Sequence, residues 1–252
     1  MPDKIPTAAE LYGKGIFTTV AILAGRPFLW EKHWRRIVAN AEVVSVDLSA
    51  HGESATLDSL VKEISDRGII NCRARITFSD ASPSSIWASV GEKKTGLSII
   101  VAERRPVPAN FKLTISPHRV NTTSPLVGIK SCNYLEHLLV NEEATKQGFN
   151  EAIRLNERDE IASACMANVF WETDGKLFTP SLKTGCLPGT TREYVLENVE
   201  CEEVEASIEE LKEADRIFLT SAGIGIVTVA YCNERRLDIS EHRLPGLFSG
   251  SN

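Results

Sequence analysis

The pattern of apolar and polar residues in the first hundred positions predicts strands and amphipathic helices. Gly15 to Gly25 is rich in Val, Ile and Thr and closes on Gly-Arg-Pro, which predicts a strand ending in a hairpin turn. From Leu29 onward, apolar side chains recur every three or four residues, which predicts an amphipathic helix. We predict a second helix from Leu57 to Asp66 and strands at 71–80 and 95–103, the last an apolar run suited to burial.

Four prolines between Glu103 and Gly128 interrupt this pattern and predict a connection between domains. Beyond it, the pattern predicts a helix from Asn133 to Gln147 ended by Gly148 and another that begins near Thr191. Strands are predicted at 151–156, 167–173, 176–180 and 216–221. The sequence therefore predicts an α+β protein with a small domain at 1–105 and a larger domain at 106–252.

Composition narrows the possible functions. The chain has 252 residues, 42% of them hydrophobic, and a net charge of −6 with its 28 basic residues dispersed, so we expect a buried core and no nucleic-acid partner. The first residues show no secretory signal pattern and no apolar run approaches a membrane span, so we expect a cytoplasmic protein. Six dispersed cysteines and five histidines lack metal-ligand spacing, so we expect neither a metal site nor a disulfide framework.

Lys130 is the first candidate for chemistry. It lies just before a predicted helix and close to Asn133 and Tyr134. A lysine in such a position can be desolvated and hydrogen-bonded so that its amine pKa falls, as a Schiff-base former requires. The alternative interpretation is a solvated lysine at a helix start, and this motif alone does not decide between them.

Two turns are candidates for binding an anion. The first, Leu187-Pro188-Gly189, leads into a helix that begins with Thr190 and Thr191, whose N–H groups and hydroxyls suit a phosphate. The alternative is that a threonine merely caps the helix. The second turn follows the strand at 216–221, where Ser221 and the N–H of Ala222 could contact the same anion, although a glycine-rich bend would look similar.

Taken together and in order, these segments resemble the fold-type IV pyridoxal-phosphate enzymes, which include branched-chain aminotransferases, D-amino acid aminotransferases and aminodeoxychorismate lyases. The resembling segments are GKGIFTTV, KHWRRI, GIKSCNYLE, SACMANVFW, CLPGTTRE and ADRIFLTSAGIGIVTV. The resemblance implies a two-domain α+β fold, with a small α/β N-terminal domain and a larger C-terminal domain that has a β-barrel-like core. It also implies a homodimer that acts on a small amino substrate.

The resemblance also implies roles for particular residues. Lys130 would be the catalytic lysine that holds pyridoxal 5'-phosphate as a Schiff base, and Arg36 would bind the phosphate with the bidentate geometry of a guanidinium. The other implied cofactor-binding residues are Tyr134, Ser163, Gly189, Thr190, Thr191, Ser221 and Ala222, and the implied substrate-binding residues are Thr18 and Thr19. The arginines at 73, 75, 104 and 105 are unassigned candidates for a substrate carboxylate.

One position departs from the family. Five residues before Asn168, where family members carry a glutamate that pairs with the pyridine nitrogen, this chain has Ser163. A serine hydroxyl cannot keep that nitrogen protonated as a carboxylate does. Glu160 could substitute only if the local loop is shifted, because three residues along a strand change the face on which a side chain lies.

Within the family, Phe17-Thr18-Thr19, Ala167-Asn168 and Phe170-Trp171 resemble the lyases, since the aminotransferases usually have Phe-Glu in the first motif. We therefore expect a lyase that converts 4-amino-4-deoxychorismate to 4-aminobenzoate and pyruvate, a step towards folate. The alternatives are an aminotransferase acting on D- or branched-chain amino acids and a cofactor-binding protein with lost or altered catalysis. The second alternative is suggested by Ser163 and by the short segment before GKGIF.

Overall fold

The computed structural model describes residues 5–85, 87–89 and 91–248. The chain divides into two compact units, the first formed by Met1–Arg104 with Ile129–Tyr134 and the second by Arg105–Gly128 with Leu135–Asn252. The sequence analysis assigned 129–134 to the second domain. In the structure this segment belongs to the first unit, because its main chain hydrogen-bonds to the first strand of that unit.

The first unit is an antiparallel sheet with helices. Its helices are α1 (Ala8–Tyr12), α2 (Trp30–Val44) and α3 (Glu53–Arg67), and its strands are β1 (Gly15–Leu23), β2 (Arg26–Pro27), β3 (Cys72–Asp80), β4 (Ser84–Ser85), β5 (Ala88–Ser89) and β6 (Thr95–Glu103). The main sheet has the order β2-β1-β3-β6, and β4 pairs with β5. The predicted hairpin is confirmed as β1–β2 and turns at Gly25, whose φ of 75° is in the region that glycine adopts without strain.

Alternation along the strands builds the core of this unit. Side chains of β3 alternate between buried and half-buried, so that Ile76 and Phe78 pack with Leu60 of α3 and Ile37 of α2. Strand β6 was expected to be buried throughout, and this prediction was wrong, since its Ile100 is 57% exposed. The reason is that only one face of β6 packs against the core of this unit, and Ile100 lies on the other face.

The second unit contains two larger sheets. Its helices are α4 (Leu135–Lys146), α5 (Thr190–Asn198), α6 (Ile208–Glu213) and α7 (Arg243–Leu247), with a 3-10 helix at Leu182–Thr184. Its strands are β7 (Lys112–Ile115), β8 (Glu151–Leu155), β9 (Ile161–Ala164), β10 (Asn168–Thr173), β11 (Lys176–Pro180), β12 (Glu202–Val204), β13 (Arg216–Ser221), β14 (Gly225–Thr228), β15 (Tyr231–Cys232) and β16 (Arg235–Arg236). The two sheets have the orders β12-β11-β10-β13-β14 and β16-β15-β7-β8-β9.

One apolar core joins these two sheets. Leu113 and Ile153 come from one sheet, and Val169, Trp171 and Ile217 come from the other, and all of them are almost fully buried. Burying one such side chain contributes about 1.5–3 kcal/mol to folding. The two sheets therefore form one domain, which corresponds to the larger domain of the predicted α+β fold. Within the described ranges of the chain, no helix combines the length and the apolar character needed to cross a membrane.

A buried carboxylate holds the turn between β9 and β10. Glu151, at the start of β8, is 2% exposed, and its side chain accepts hydrogen bonds from the backbone N–H groups of Cys165 at 2.9 Å and Met166 at 3.2 Å. Burial raises the pKa of the Glu151 carboxyl, although these hydrogen bonds act in the opposite direction. The carboxylate therefore fixes the turn that separates Ser163 from Asn168.

We predict that Glu151→Gln is destabilising and that its effect depends on pH. A carboxyl with a raised pKa in the folded protein contributes stability below its unfolded pKa and loses it as pH rises through the folded pKa. The unfolding free energy of the wild type relative to Glu151→Gln should therefore be larger at acidic pH than at neutral pH, as measured by urea denaturation. Glu157, whose pKa is lowered by its hydrogen bonds with Thr122, provides the control, since Glu157→Gln should show the opposite trend. A difference for Glu151→Gln that grows with pH would contradict this account.

Candidate active site

The main chain around Lys130 is tied to strand β1. The N–H of Phe17 donates to the Lys130 carbonyl at 2.9 Å, and the N–H of Cys132 donates to the Gly15 carbonyl at 2.8 Å. From α2, the Asn40 side-chain oxygen accepts a hydrogen bond from the Lys130 N–H at 2.9 Å. Because its backbone has partners on both the strand and the helix, Lys130 is held at a fixed place before α4 begins at Leu135.

The Lys130 side chain lies against two aromatic rings. Its Nζ donates to the Tyr134 hydroxyl at 2.7 Å and lies 4.3 Å and 4.9 Å from the ring centroids of Tyr134 and Phe17. The two rings form an edge-to-face pair with centroids 5.1 Å apart. The structure therefore brings the predicted Lys130 and Tyr134 together and adds Phe17, which the sequence analysis had not assigned to the site.

Arg75 lies in the same surroundings. Its guanidinium carbon lies 3.5 Å from the centroid of the Phe17 ring, a cation–π geometry, and its Nε donates to the Thr77 hydroxyl at 3.2 Å. Burial raises the pKa of the nearby Cys132 thiol, while Arg75 acts in the opposite direction. Of the four arginines left unassigned by the sequence, Arg75 is thus placed on the ring that also packs against Lys130.

Thr18 and Thr19 lie on opposite faces of β1. Thr18 is fully buried, and its hydroxyl accepts a hydrogen bond from Arg36 at 2.8 Å and lies 2.7 Å from His33 Nδ1. Thr19 is half-buried on the other face. The sequence predicted that both threonines bind substrate, whereas the structure directs the Thr18 hydroxyl towards α2 and Arg36. Burial, and secondly the charge of Arg36, holds the pKa of His33 well below its usual value.

The N-terminus of α5 forms the first predicted anion-binding turn. Gly189 is the N-cap and its backbone is extended, with no side-chain cap hydrogen bond recorded for this helix within the described residues. Thr190 and Thr191 are buried, and the Thr191 hydroxyl has no hydrogen-bond partner in the described part of the chain. The Asn168 side chain donates to the Leu187 carbonyl at 2.9 Å and so holds the turn. An anion placed here would satisfy the Thr191 hydroxyl and the first helical amides.

The second predicted turn lies beside the same helix, at the end of β13. Ser221 and Ala222 are half-buried, and the Ser221 hydroxyl accepts from the Ile224 N–H at 3.4 Å. The preceding residue, Thr220, is 1% exposed, and its hydroxyl has no partner among the residues that the structure describes. Thr220 lies directly opposite Asn168 in the β10–β13 pair. The sequence pattern does not single out Thr220, because strand register decides whether the hydroxyl of Thr220 or that of Ser221 lies on the face that carries Asn168.

Ser163 stays a departure from the family. It is 9% exposed on β9, directly opposite the buried Arg154 of β8. Glu160 is already engaged, since its carboxylate accepts from Arg158 and from the Asn156 side chain, both at 2.7 Å. Arg158 is the main cause of a lowered pKa at Glu160. Glu160 therefore does not stand in for the missing glutamate.

Comparison with known proteins identifies the family. The sequence profile described as Amino-transferase class IV matches residues 15–232, which is most of the chain. Aminodeoxychorismate lyase of Bacillus subtilis (strain 168) is 30% identical over 227 residues, covering 86% of this chain and 77% of that protein. The chain therefore belongs to the class IV aminotransferase family, whose enzymes depend on pyridoxal 5'-phosphate.

Other relatives carry aminotransferase and lyase descriptions. A putative branched-chain-amino-acid aminotransferase of Methanocaldococcus jannaschii is 24% identical over 235 residues, covering 87% of this chain and 78% of that protein. The crystal structure of 4-amino-4-deoxychorismate lyase from Pseudomonas aeruginosa has a TM-score of 0.83 at 23% identity, covering 98% of this chain and 93% of that one. This structural likeness establishes the fold, and the predicted fold-type IV architecture is confirmed.

The residues present fit pyridoxal 5'-phosphate. The buried hydroxyls of Thr191 and Thr220 have no partner in the described residues, and a phosphate supplies the acceptors that they lack. The amine of Lys130, oriented by the Tyr134 hydroxyl and flanked by aromatic rings, fits an aldehyde on an aromatic ring. The positions of these hydroxyls and of the Lys130 amine are set by contacts within the protein itself.

We predict that Gly189→Ala disrupts the turn before α5. A Cβ at Gly189 would overlap the Asn168 side-chain oxygen, although the extended backbone itself would accept alanine. Relieving such an overlap costs about 1–3 kcal/mol. We expect a weaker cofactor affinity, measured by absorbance titration, and a lower unfolding free energy.

Combining this change with Asn168→Ala tests the cause. The second substitution removes the overlapping oxygen, so the double variant should lose less than the sum of the two single variants. Additive losses would show that the overlap is not the reason for glycine at this position.

Proposed function

We propose that this protein is a pyridoxal-phosphate-dependent lyase that converts 4-amino-4-deoxychorismate to 4-aminobenzoate and pyruvate. The observation that carries the proposal is the 30% identity to a Bacillus subtilis aminodeoxychorismate lyase across 86% of the chain. The Phe17-Thr18-Thr19 motif supports the same choice, because it lacks the glutamate usual in the aminotransferases.

Lys130 is the residue that moves the protons in this proposal. When bound, pyridoxal 5'-phosphate supplies an aldehyde that binds amines and a ring that withdraws electrons from the carbon beside the bound nitrogen. Lys130 Nζ would hold that aldehyde in the resting enzyme. With the substrate amine bound in its place, Nζ would accept the proton from the ring carbon that carries the substrate nitrogen and would deliver a proton to the departing enolpyruvyl group. The hydroxyl of Tyr134, 2.7 Å from Nζ, orients the amine for both steps.

The remaining site residues hold the cofactor and the substrate. We propose that the phosphate is bound by the Arg36 guanidinium, by the amides and hydroxyls at the N-terminus of α5, and by the turn after β13; the residues concerned are Gly189, Thr190, Thr191, Ser221 and Ala222. The hydroxyls of Thr191 and of the neighbouring Thr220, which have no partner among the described residues, support this assignment. Thr19, half-buried on the face of β1 opposite Thr18, is proposed for the substrate side.

Ser163 suits an elimination better than a transamination. A hydroxyl near the ring nitrogen leaves the cofactor a weaker electron acceptor than a carboxylate would. Aromatisation of the product drives the elimination, so the weaker acceptor suffices. A transaminase needs stronger electron withdrawal, because the proton must return at a different carbon.

The protein is further proposed to act in the cytoplasm as a homodimer in a step towards folate. Its six cysteines are free thiols and four of them are buried, which fits a reducing compartment. The dimer is proposed from the resemblance to the fold-type IV family.

An aminotransferase acting on D- or branched-chain amino acids is the second candidate. It is favoured by the relative in Methanocaldococcus jannaschii, which is described as a putative branched-chain-amino-acid aminotransferase and is 24% identical over 87% of this chain. Screening D- and branched-chain amino acids as donors against 2-oxo acids distinguishes the two functions. Rapid transamination without pyruvate release from 4-amino-4-deoxychorismate would reject the lyase.

We predict that Lys130→Ala abolishes pyruvate release. The variant lacks the amine that binds the aldehyde and moves the protons, so activity should fall by a factor of about 10³ or more. Pyruvate formation is measured with purified protein, and borohydride reduction followed by peptide mass analysis locates the modified lysine. Lys176→Ala, at an exposed position on β11, is the control and should retain wild-type activity. Modification of another lysine in the wild type would overturn the assignment.

We predict that Ser163→Glu shifts the enzyme towards transamination. The introduced carboxylate would hold the ring nitrogen protonated and strengthen electron withdrawal. The measurement compares half-transamination with pyruvate release in the wild type and the variant. If the wild type already transaminates well and releases no pyruvate, the role given to Ser163 fails.

A further inference from the structure

Three polar side chains form a hydrogen-bonded row in the first unit. Thr18 lies on β1, while His33 and Arg36 lie three residues apart on the same face of α2. Arg36 lies 2.8 Å and His33 Nδ1 lies 2.7 Å from the Thr18 hydroxyl oxygen. Thr18 is 0% exposed and His33 is 1% exposed, so these two side chains are shielded from water, while Arg36 is half-buried.

The chemistry of the three groups determines the direction of both hydrogen bonds. A guanidinium has only donors, so the Thr18 oxygen must accept from Arg36. The single Thr18 proton then needs an acceptor, and in the described residues His33 Nδ1 is the group within reach. His33 Nδ1 therefore carries no proton, and the row runs from Arg36 to Thr18 to His33.

A neutral His33 is consistent with its surroundings. Desolvation lowers the pKa of His33 well below its usual value, and the charge of Arg36 acts in the same direction. A protonated His33 would place a second cation beside Arg36 and would leave the Thr18 proton without an acceptor. Only the arrangement with neutral His33 satisfies both hydrogen bonds of the row. In it, one N–H of the Arg36 guanidinium is held by the Thr18 oxygen.

We propose that Thr18 and His33 are positioning residues that orient the Arg36 guanidinium towards the cofactor phosphate. The proposal rests on the proposed function, in which Arg36 binds that phosphate. A long arginine side chain loses rotamer entropy when it binds an anion, and prior fixation removes part of this cost. Thr18 therefore acts on the cofactor through Arg36 and makes no contact with the substrate.

The test compares cofactor binding by Thr18 variants. Thr18→Val keeps the shape and the strand preference of threonine but removes the hydroxyl. We expect it to weaken pyridoxal 5'-phosphate binding by about tenfold or more, the size expected for a lost hydrogen bond to a charged group. Thr18→Ser, which retains the hydroxyl, should restore the affinity. Binding is measured by absorbance titration of protein freed of cofactor, so the result does not depend on turnover.

Binding of pyridoxal, which has the aldehyde and lacks the phosphate, distinguishes a specific loss of phosphate binding from general damage to the site. If the row orients Arg36 for the phosphate, Thr18→Val should weaken pyridoxal 5'-phosphate binding and leave pyridoxal binding unchanged. The matched control is Thr56→Val. Thr56 is another buried threonine of the same unit, and its hydroxyl has no partner within the described residues, so this change should affect neither ligand.

His33 variants provide an independent measurement. His33→Asn keeps an acceptor close to the Nδ1 position, whereas His33→Leu removes it, so the asparagine variant should bind pyridoxal 5'-phosphate more tightly than the leucine variant. Equal weakening of both ligands by Thr18→Val, or wild-type phosphate affinity in Thr18→Val and His33→Leu, overturns the proposal. A wild type that binds no pyridoxal 5'-phosphate at all would instead overturn the proposed function on which it rests.

Discussion

The pairing of 129–134 with strand β1 is the constraint on which the candidate site depends. Hydrogen bonds from Phe17 to Lys130 and from Cys132 to Gly15 attach a distant segment to the edge of the first strand. They place Lys130 Nζ against the Phe17 and Tyr134 rings. Side chains alternate along a strand, so Thr18 lies on the face of β1 opposite Phe17. Its hydroxyl accepts the hydrogen bond from Arg36.

The distribution of charge in the first unit suits an anionic ligand. The cationic groups of Lys130, Arg36 and Arg75 each lie on or near strand β1 and its neighbours, and each is held by a hydrogen bond or an aromatic ring. His33, which is hydrogen-bonded to Thr18, stays neutral because burial disfavours its charged form. In the second unit, the groups suited to an anion are neutral hydroxyls and helix amides, at Thr191 and Thr220. An anion at the N-terminus of α5 would gain hydrogen bonds from the helix amides and from these hydroxyls.

The residue at position 163 bears on whether the chain favours elimination or transamination. It lies on strand β9, and the Asn168 side chain holds the turn before α5. Only the carboxylate is missing, and the nearby Glu160 is paired with Arg158. At position 163 the chain therefore has a hydroxyl where the family resemblance implies a carboxylate that would strengthen electron withdrawal. A weaker electron acceptor fits a reaction in which the product's aromaticity provides the driving force.

The sequence alone determined the family and most of the helices and strands, and it predicted the lysine and both candidate anion-binding turns, because these depend on local spacing and on motifs within a few residues. It could not show that β6 is an exposed edge, that Asn40 holds Lys130, or that Arg75 lies on the Phe17 ring. It also could not distinguish the direction of Thr18 from that of Thr19, or select Thr220 as the second free hydroxyl. Those features depend on strand order and register, which bring together residues far apart in the chain, and only the tertiary structure decides them.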